Sequence, residues 1–206
     1  MLEVITAAEN RKLTTLAAVK ADLGLTGAEE DARLDALIEQ YSAAIVGWCG
    51  RPFALEMLRE TIFSPAATNG LMLSCWPVVS IASITLDGVA IAPEAYTVDR
   101  NAGLVHQRQP GPSGFWWPRG ETVATYAAGY ILPGSAERTL PYDVERAAIM
   151  LVKAAFLAAE RDPHVRSDSV EGVGTTTWFS TLGTAGDAMP LEVQGLLTPY
   201  HHLTVG

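Results

Sequence analysis

Residues 84–91 read Ile84-Thr-Leu-Asp-Gly-Val-Ala-Ile91, two apolar runs joined by Asp87-Gly88. An Asp-Gly pair in this setting is a strong signal for a two-residue β-hairpin turn, because the favoured turn needs a positive φ at both positions. On both sides, Pro and Gly interrupt further short β-type runs, and Asn101-Ala-Gly103 marks a second turn. The runs are 55–63, 71–75, 78–86, 96–98, 103–107 and 122–126. We therefore predict that residues 54–130 form an antiparallel sheet or barrel of about five to seven strands.

A helical hairpin is predicted before this β module, over residues 14–50. Its first helix begins near Thr14 or Thr15 and ends at Gly24, a residue suited to a helix end because it tolerates left-handed backbone angles. Thr26-Gly-Ala-Glu29 has the spacing of a capping box and is expected to open the second helix. That helix has one apolar stripe at three- and four-residue steps, made of Leu34, Leu37, Ile38, Tyr41, Ile45 and Trp48.

A long helix is predicted after the β module, over residues 141–161, with Pro141 in its first turn. Its apolar face is rich in small side chains, which let another helix approach closely: Val144, Ala147, Ala148, Leu151, Ala154, Ala155 and Ala158. Residues 162–189 read as a loop rich in Gly, Ser and Thr, with one β-type stretch at 175–180. A short element follows at 190–200.

These patterns predict an α+β fold. The helical core, an N-terminal helical hairpin plus one long helix, takes residues 1–53 and 131–161. Residues 54–130 are an inserted small antiparallel β module, and residues 162–206 form an extended C-terminal loop or arm. A chain of 206 residues buries about 70% of the surface that its unfolded form exposes, so this fold needs no disulfide or metal ion for stability.

The composition argues against a protein that grips nucleic acid. The formal net charge is −9, and no block rich in Lys or Arg exists to neutralise phosphates. An acidic surface repels DNA, which suits a wall past which DNA slides. Among the acidic residues, those of the segment 28–39 are the candidates for a channel-facing or solvent-facing side.

The cysteines and the hydropathy indicate a protein made in a reducing compartment, the cytosol, without a membrane-spanning segment. Cys49 and Cys75 form no metal-binding pattern and are expected to be small buried hydrophobes. The most apolar run, 147–159, contains Lys153 and is shorter than the roughly 20 residues that span a bilayer. The first 13 residues lack the layout of a signal peptide.

No motif for catalysis or for cofactor binding is found. The sequence contains neither a GxSxG elbow nor a GxxxxGK[ST] loop, and its histidines lack HExxH spacing. We therefore predict no catalytic residue, no cofactor and no metal site, and interpret His201-His202 as a solvated tail. Trp76-Pro77 and Trp116-Trp117-Pro118 have two interpretations: platforms for a partner, or plugs that close the ends of a small β module.

Nearly the whole chain is covered by segments that resemble those of a known family and follow one another in the same order. They are Leu13-Thr-Thr-Leu-Ala-Ala-Val-Lys-Ala-Asp-Leu-Gly-Leu25, Leu34-Asp-Ala-Leu-Ile-Glu-Gln-Tyr-Ser-Ala-Ala-Ile45, Pro77-Val-Val-Ser-Ile-Ala-Ser-Ile84, Tyr96-Thr-Val-Asp99, Trp117-Pro118, Val123-Ala-Thr-Tyr-Ala-Ala-Gly-Tyr130, Ser167-Asp-Ser-Val-Glu-Gly172 and Leu196-Leu-Thr-Pro-Tyr200. In this order the chain resembles the head–tail connector (adaptor) family of long-tailed bacteriophages, prophages and gene transfer agents, in its longer form with a β insertion. The chain departs from the family at His201, where a basic residue often follows Pro-Tyr, and in a longer loop at 109–114.

The resemblance implies a structural connector in the neck of a virion or phage-like particle, and not an enzyme. About twelve copies would form a ring under the portal protein, extend the DNA channel without sequence-specific binding, and offer a surface to the next neck or tail component. The portal-binding arm would use Leu191, Val193, Leu196, Leu197, Pro199 and Tyr200. Ring contacts are assigned to the alanine-rich helix face, at Ala147, Leu151, Ala154, Ala155 and Ala158.

Two other interpretations stay open from the sequence. The chain could be another neck or tail-completion component of the same particle. It could also be an enzyme or a small-ligand-binding module whose site lies in the tryptophan-bearing β segment, which would require a concave pocket with convergent polar groups.

Overall fold

A computed structural model describes residues 1–108, 110, 114, 116–158, 167–170, 174–177 and 189–201; for 167–170 and 174–177 it describes the backbone alone. The chain forms two compact units. The β unit comprises Met1–Arg11, Arg51–Leu132 and Glu137–Thr139. The helical unit comprises Lys12–Gly50, Pro133–Ala136 and Leu140–Gly206.

The β unit is built from short strands and a 3₁₀ turn at Pro93–Ala95. Its described strands are β1 (Leu2–Thr6), β2 (Glu56–Ser64), β3 (Leu71–Met72), β4 (Val78–Leu86), β5 (Val89–Ala90), β6 (Tyr96–Asp99), β7 (Leu104–Gln107) and β8 (Gly120–Ala128). Five of them form one sheet in the order β1-β2-β8-β4-β5, and three form a second sheet in the order β3-β7-β6. All neighbours in both sheets are antiparallel.

Both predicted turns are present. Asp87 and Gly88 have φ values of 48° and 80° and join β4 to β5, with Leu86 opposite Val89. At the second turn, between β6 and β7, the Asp99 carboxylate accepts the backbone N–H groups of Asn101 and Ala102, each at 3.1 Å. Glycine is needed at 103 in this turn, because the backbone there has φ 68°.

The core of the β unit lies between the inward faces of its strands. Alternate residues of β2 and β8 point to opposite sides, so every second one is buried. Trp117 is fully buried, and its indole N–H donates to the Thr122 hydroxyl at 3.1 Å. The buried cluster comprises Leu58, Leu71, Leu73, Cys75, Val78, Ile84, Tyr96, Val105, Trp117, Ala124, Tyr126 and Ala128.

The chain enters and leaves the inserted part of the β unit at one place. The Tyr130 N–H donates to the Phe53 carbonyl at 2.7 Å, and the Leu55 N–H donates to the Tyr130 carbonyl at 2.9 Å. Beside this pairing Gly129 has φ 115°, and a Cβ there would collide with the backbone of Ala54. Only glycine fits this close approach of two chain segments.

The helical unit contains four helices, one two-stranded sheet and a terminal 3₁₀ turn among its described residues. The helices are α1 (Leu16–Leu23), α2 (Asp31–Cys49), α3 (Tyr142–Ala158) and α4 (Leu191–Leu197), and the 3₁₀ turn is Thr198–Tyr200. The sheet consists of β9 (Ser167–Val170) and β10 (Gly174–Thr177), which are antiparallel.

Helices α1, α2 and α3 pack around a common core. The Thr15 hydroxyl caps α1 by accepting the Ala18 N–H at 3.2 Å, and Gly24, with φ 71°, ends it, as predicted. Buried polar groups connect the elements, since the Thr14 hydroxyl donates to the Glu145 carboxylate at 3.3 Å. The buried core residues are Val19, Leu34, Ile38, Val152 and Phe156, with partly buried Leu16, Leu23, Leu25, Leu37, Tyr41, Ile149 and Leu157 around them.

The predicted capping box at Thr26–Glu29 is wrong. Helix α2 begins at Asp31, and its N-terminal flanking residue, Glu30, makes no side-chain capping bond. The reason is a tight turn, closed by a 3.2 Å bond from the Asp31 N–H to the Ala28 carbonyl. The first helical residue is fixed instead by an ion pair at 2.5 Å between Asp31 and Lys20 of α1.

The predicted α+β class is confirmed, and the structure adds one strand that the sequence patterns did not indicate. Residues 2–6 form β1 and pair with β2, so residues 1–11 group with the β unit by their contacts. The predicted division into helical core, β module and arm stays a prediction. Much of the predicted loop at 162–189, most of the loop at 109–114, and His202 lie outside the described residues.

Candidate interaction surfaces

An open sheet edge is formed by the N-terminal strand. Every residue of β1 is exposed, including the apolar residues Leu2, Val4 and Ile5. β1 is the outermost strand of the five-stranded sheet, so within the described part of the β unit no strand pairs with its outer side. It carries neither Lys nor Pro, the residues that usually protect such an edge.

The opposite edge of the same sheet is short. β5 is only two residues long, and the Ile91 N–H donates to the Ile84 carbonyl of β4 at 2.9 Å. Farther along β4, the Arg100 guanidinium donates to the Val79 carbonyl at 2.6 Å. The two edges of one sheet therefore differ in length, since β5 presents two residues and β1 presents five.

A buried polar network supports the β unit beneath these edges. The Tyr126 hydroxyl donates to the Glu60 carboxylate at 2.7 Å, and the Ser74 N–H donates to the same carboxylate at 3.0 Å. The Ser74 hydroxyl also donates to it. Burial, followed by the charge of Glu60, raises the pKa of Tyr126. Burial likewise raises the pKa of the Cys75 thiol to about 12, so Cys75 is a neutral thiol near pH 7 and a poor candidate for a nucleophile.

Arg51 is a buried cation enclosed by aromatic rings. Its guanidinium carbon lies 3.9 Å from the Trp76 ring centre, 5.3 Å from that of Phe53 and 5.9 Å from that of Tyr130. It also donates to the Trp76 carbonyl. These cation–π contacts stabilise the charge inside the protein, so the cluster is a structural support.

The tryptophans of the two motifs do not all fit one interpretation, because one fills the core as a plug and another is exposed as a platform would be. Trp117 is fully buried and fills the core, as the plug interpretation expects. Trp76 is half-buried and packs on Arg51. Trp116 is more than half exposed, so of the three only Trp116 offers a large free aromatic surface.

The residues assigned to a ring interface lie on α3, and they do not all reach the surface. Ala147 and Leu151 are buried in the protomer's own core. Ala154 and Ala155 are half-buried, and Ala158 is exposed. The buried stripe turns away from the alanines near the C-terminal end of α3, toward Val152 and Phe156, because these larger side chains fill the space against α1 and α2.

Some of the residues assigned to the portal-binding arm are buried, and others are exposed. Val193 and Leu197 are buried, and α4 packs against α3. Leu191 and Pro199 are exposed, whereas Leu196 and Tyr200 are half-buried. The exposed side of α4 is thus presented by a helix that is anchored through its buried side.

His201 is not a solvated tail residue. Its ring packs edge-on against Trp48 at the end of α2, with the ring centres 4.9 Å apart. This contact extends the attachment of the C-terminal segment beyond α4. His202, the second histidine of the pair predicted to be a solvated tail, lies outside the described residues.

The acidic segment at the start of α2 is largely neutralised by ion pairs. Asp35 pairs with Lys12 at 2.6 Å, and Glu30 pairs with Arg33 at 3.2 Å. A further pairing joins α1 to α3, where Asp22 binds Lys153 at 2.8 Å and Arg146 at 2.7 Å. The hydrogen bond from Lys153, and then that from Arg146, lowers the pKa of Asp22.

Two of the depressions on the β unit are open to solvent. One, of about 170 Å³, is lined mainly by residues of β4 and β6, and the other, of about 250 Å³, mainly by residues of β1 and β2. No group of three potential metal ligands occurs within the described ranges. Among the helices that the structure describes, none combines the length and hydropathy needed to cross a membrane.

The fold and these surfaces define an α+β chain with an open strand edge on β1 and a C-terminal helix, α4, that packs on α3. The profile of the head completion protein family matches residues 12–203. The chain belongs to the head completion protein family. The predicted kinship with head–tail connectors is thereby confirmed at the level of the family.

Solved structures share this fold along the whole chain. A chain in the neck of an empty gene transfer agent particle, computed with C6 symmetry, has a TM-score of 0.58 at 21% identity. A chain in the virion of the native particle has a TM-score of 0.60 at 20% sequence identity. A chain in the neck of the native particle, computed with C12 symmetry, has a TM-score of 0.58 at 19% sequence identity. Each comparison covers 100% of this chain and 97% of the other. No curated protein sequence matches the chain.

Proposed function

We propose that this chain is a structural subunit of the neck of a phage or phage-derived particle, where copies form a closed ring that continues the DNA channel below the portal protein. The proposal depends on similarity that extends along nearly the whole chain. The family profile matches residues 12–203, and the fold comparison with neck chains of gene transfer agent particles covers 100% of this chain. The C12 and C6 symmetries of those necks support a ring of about twelve copies.

In this role the chain acts by binding and catalyses no reaction. The net charge of −9 keeps the DNA backbone from adhering to the wall of the channel. Individual contacts can be weak, since attachment around a ring is multivalent and each further contact is made at a high effective concentration.

The ring contacts are heterologous, with one surface of a subunit against a different surface of its neighbour. Of the five α3 residues assigned to ring contacts, Ala154, Ala155 and Ala158 are accessible enough to take part. Ala147 and Leu151 contribute indirectly, because they hold α3 in the protomer's own core.

The portal contact is made by the exposed side of α4 and the turn after it. Leu191 is 81% exposed, an unusual state for a leucine on a helix that is otherwise anchored. Val193 and Leu197 hold the helix in place, while Leu191 and Pro199 are free to contact the portal. The next neck or tail component would bind the opposite side of the ring.

The portal contact is tested by co-sedimentation with the particle's portal protein. Leu191→Asp should leave the circular dichroism spectrum unchanged and reduce binding by about tenfold or more, since it places a charge in an apolar contact. Glu192→Gln, at the adjacent exposed position, is the matched control and should bind normally. Binding by Leu191→Asp equal to that of the control would refute the assignment.

The wider role is tested in the particle. Cells that lack the chain should produce filled heads without tails, and electron micrographs of complete particles should show it as a ring at the neck. Normal, tailed particles from those cells would refute the proposed function.

A further inference from the structure

The open edge of β1 has backbone groups directed toward a missing strand. Met1 and Thr61 exchange two bonds, because the Thr61 N–H donates to the Met1 carbonyl at 2.8 Å and the terminal amine donates to the Thr61 carbonyl at 2.6 Å. Hydrogen-bonded and non-hydrogen-bonded pairs alternate along an antiparallel ladder. Leu2 and Val4, opposite Glu60 and Leu58, therefore direct their N–H and C=O groups away from β2.

A second incomplete β structure lies in the C-terminal part of the same chain. β9 and β10 form a sheet of only two strands, each four residues long. Their principal contacts are with each other. A two-stranded sheet of this kind is marginally stable in water and needs a third strand or a packed layer.

We propose that β10 of one copy adds to the open edge of β1 in the next copy, so that neighbouring subunits of the proposed ring share one sheet. Each copy carries both the open edge of β1 and the β9–β10 pair, two different surfaces of the kind that a closed head-to-tail ring requires. This inference rests on the proposed ring and names a contact within it.

The choice of β10 over β9 follows from charge. β1 contains Glu3 and β9 contains Asp168, whereas β10 reads Gly-Thr-Thr-Thr and has no charge. Like charges on adjacent strands are destabilising, and a run of threonines has a high strand propensity.

The chain length allows the contact. Eight residues, 159–166, separate the end of α3 from β9, and eleven residues, 178–188, separate β10 from Met189. Fully extended, the shorter connection spans about 30 Å, roughly the diameter of a small domain. The β9–β10 pair can therefore reach a neighbouring copy while α3 and α4 stay in place.

The contact is tested by cross-linking two differently tagged populations of the full chain. One carries Glu3→Cys and the other carries Thr176→Cys, and a bismaleimide with a spacer of about 10 Å, two strand spacings, joins them without demanding one register. Cys49 and Cys75 are buried and stay unlabelled. Val89→Cys, on the opposite edge, replaces Glu3→Cys as the matched control. The Glu3 pair should give at least about tenfold more mixed dimer than the Val89 pair.

A proline separates edge pairing from simple proximity. Val4→Pro removes an outward N–H and leaves the β1–β2 ladder intact, because Pro is tolerated where the N–H of an edge strand faces solvent. Combined with Glu3→Cys, it should reduce the mixed dimer to the level of the Val89 control. Val4→Lys, a charge that protects strand edges, is the second variant and decides the matter if the proline variant loses its circular dichroism spectrum.

Equal yields from the Glu3 and Val89 pairs, or an undiminished yield in the folded Val4 variants, would overturn the proposed contact. The proposed function is scored separately, by electron microscopy of particles. A neck ring without this cross-link overturns only the β1–β10 contact, whereas tailed particles made without the chain overturn the ring itself.

Discussion

The buried hydrogen bond between Tyr126 and Glu60 is expected to be a major source of stability in the β unit. Tyr126 is fully buried, its hydroxyl lies 2.7 Å from the carboxylate, and Glu60 itself is only 4% exposed. Tyr126→Phe keeps the ring and removes one of the bonds to a charged acceptor, while the bonds from Ser74 remain. A hydrogen bond to a charged group contributes about 1.5–3 kcal/mol, so we expect a loss of about 2 kcal/mol.

The free energy of unfolding is measured by urea titration, with tryptophan fluorescence as the signal. Three of the five tryptophans, Trp76, Trp116 and Trp117, lie in the β unit, so Tyr126→Phe should shift the part of the fluorescence change that they report, and a helical unit that unfolds separately would give a second transition. For a chain of this size the expected loss lowers the melting temperature by about 4–8 °C. A double-mutant cycle with Glu60→Gln should give a coupling energy of about 1 kcal/mol or more.

Tyr41→Phe is the matched control, since Tyr41 belongs to the rim of the helical core and no hydrogen bond of its hydroxyl is seen within the described residues. It should change the free energy of unfolding by less than about 0.5 kcal/mol. If Tyr126→Phe falls in the same range, the hydroxyl does not stabilise the β unit and the reasoning from its geometry fails.

Two further predictions concern titratable groups. Since the pKa of Asp22 is lowered in the folded chain, the ion pairs of Asp22 stabilise it above the unfolded value of 3.8 and are lost as the pH falls through the folded value. Asp22→Asn should cost no more than about 1 kcal/mol at pH 7 and progressively less as the pH falls below 3.8, and a cost that does not change with pH would contradict this. The Cys75 thiol is neutral in the fold up to a pKa of about 12, against 9.0 when unfolded, so stability should fall as the pH rises from 9 to 12. Cys75→Ala should flatten that fall in urea titrations, by at most about 4 kcal/mol at the alkaline end, and an unchanged slope would show that another group causes it.

The sequence predicts those features of the fold that depend on residues close together in the chain. The Asp87-Gly88 turn, the bounds of β4 and the cap at Gly24 are determined by residues within a few positions of each other. The capping box failed because residues 28–31 form a tight turn, after which Asp31, the first residue of α2, pairs with Lys20, eleven positions away. β1 was missed because its partner lies more than 50 residues away and five residues at one end of a chain carry too little pattern.

The candidate surfaces show the same limit. An apolar stripe indicates that a helix buries one side, but the sequence does not say whether the cover is the same chain or another one. Thus Ala147 and Val193 were assigned to contacts between subunits, whereas the structure buries both in their own protomer. His201 contacts Trp48, 153 positions away, and no spacing rule anticipates such a pair.

The parallel pairing of Ala54 with Tyr130 has an evolutionary consequence. The segment that ends at Phe53 and the segment that begins at Tyr130 run in the same direction about one strand spacing, 5 Å, apart, so one or two residues could join them directly. The intervening 76 residues, 54–129, could therefore be lost or exchanged without breaking the chain at this joint, although β1 would then need a new partner in place of β2. Glycine at 129 and the small Ala54 mark the joint, and variation in the length of these proteins is expected to concentrate between those two positions.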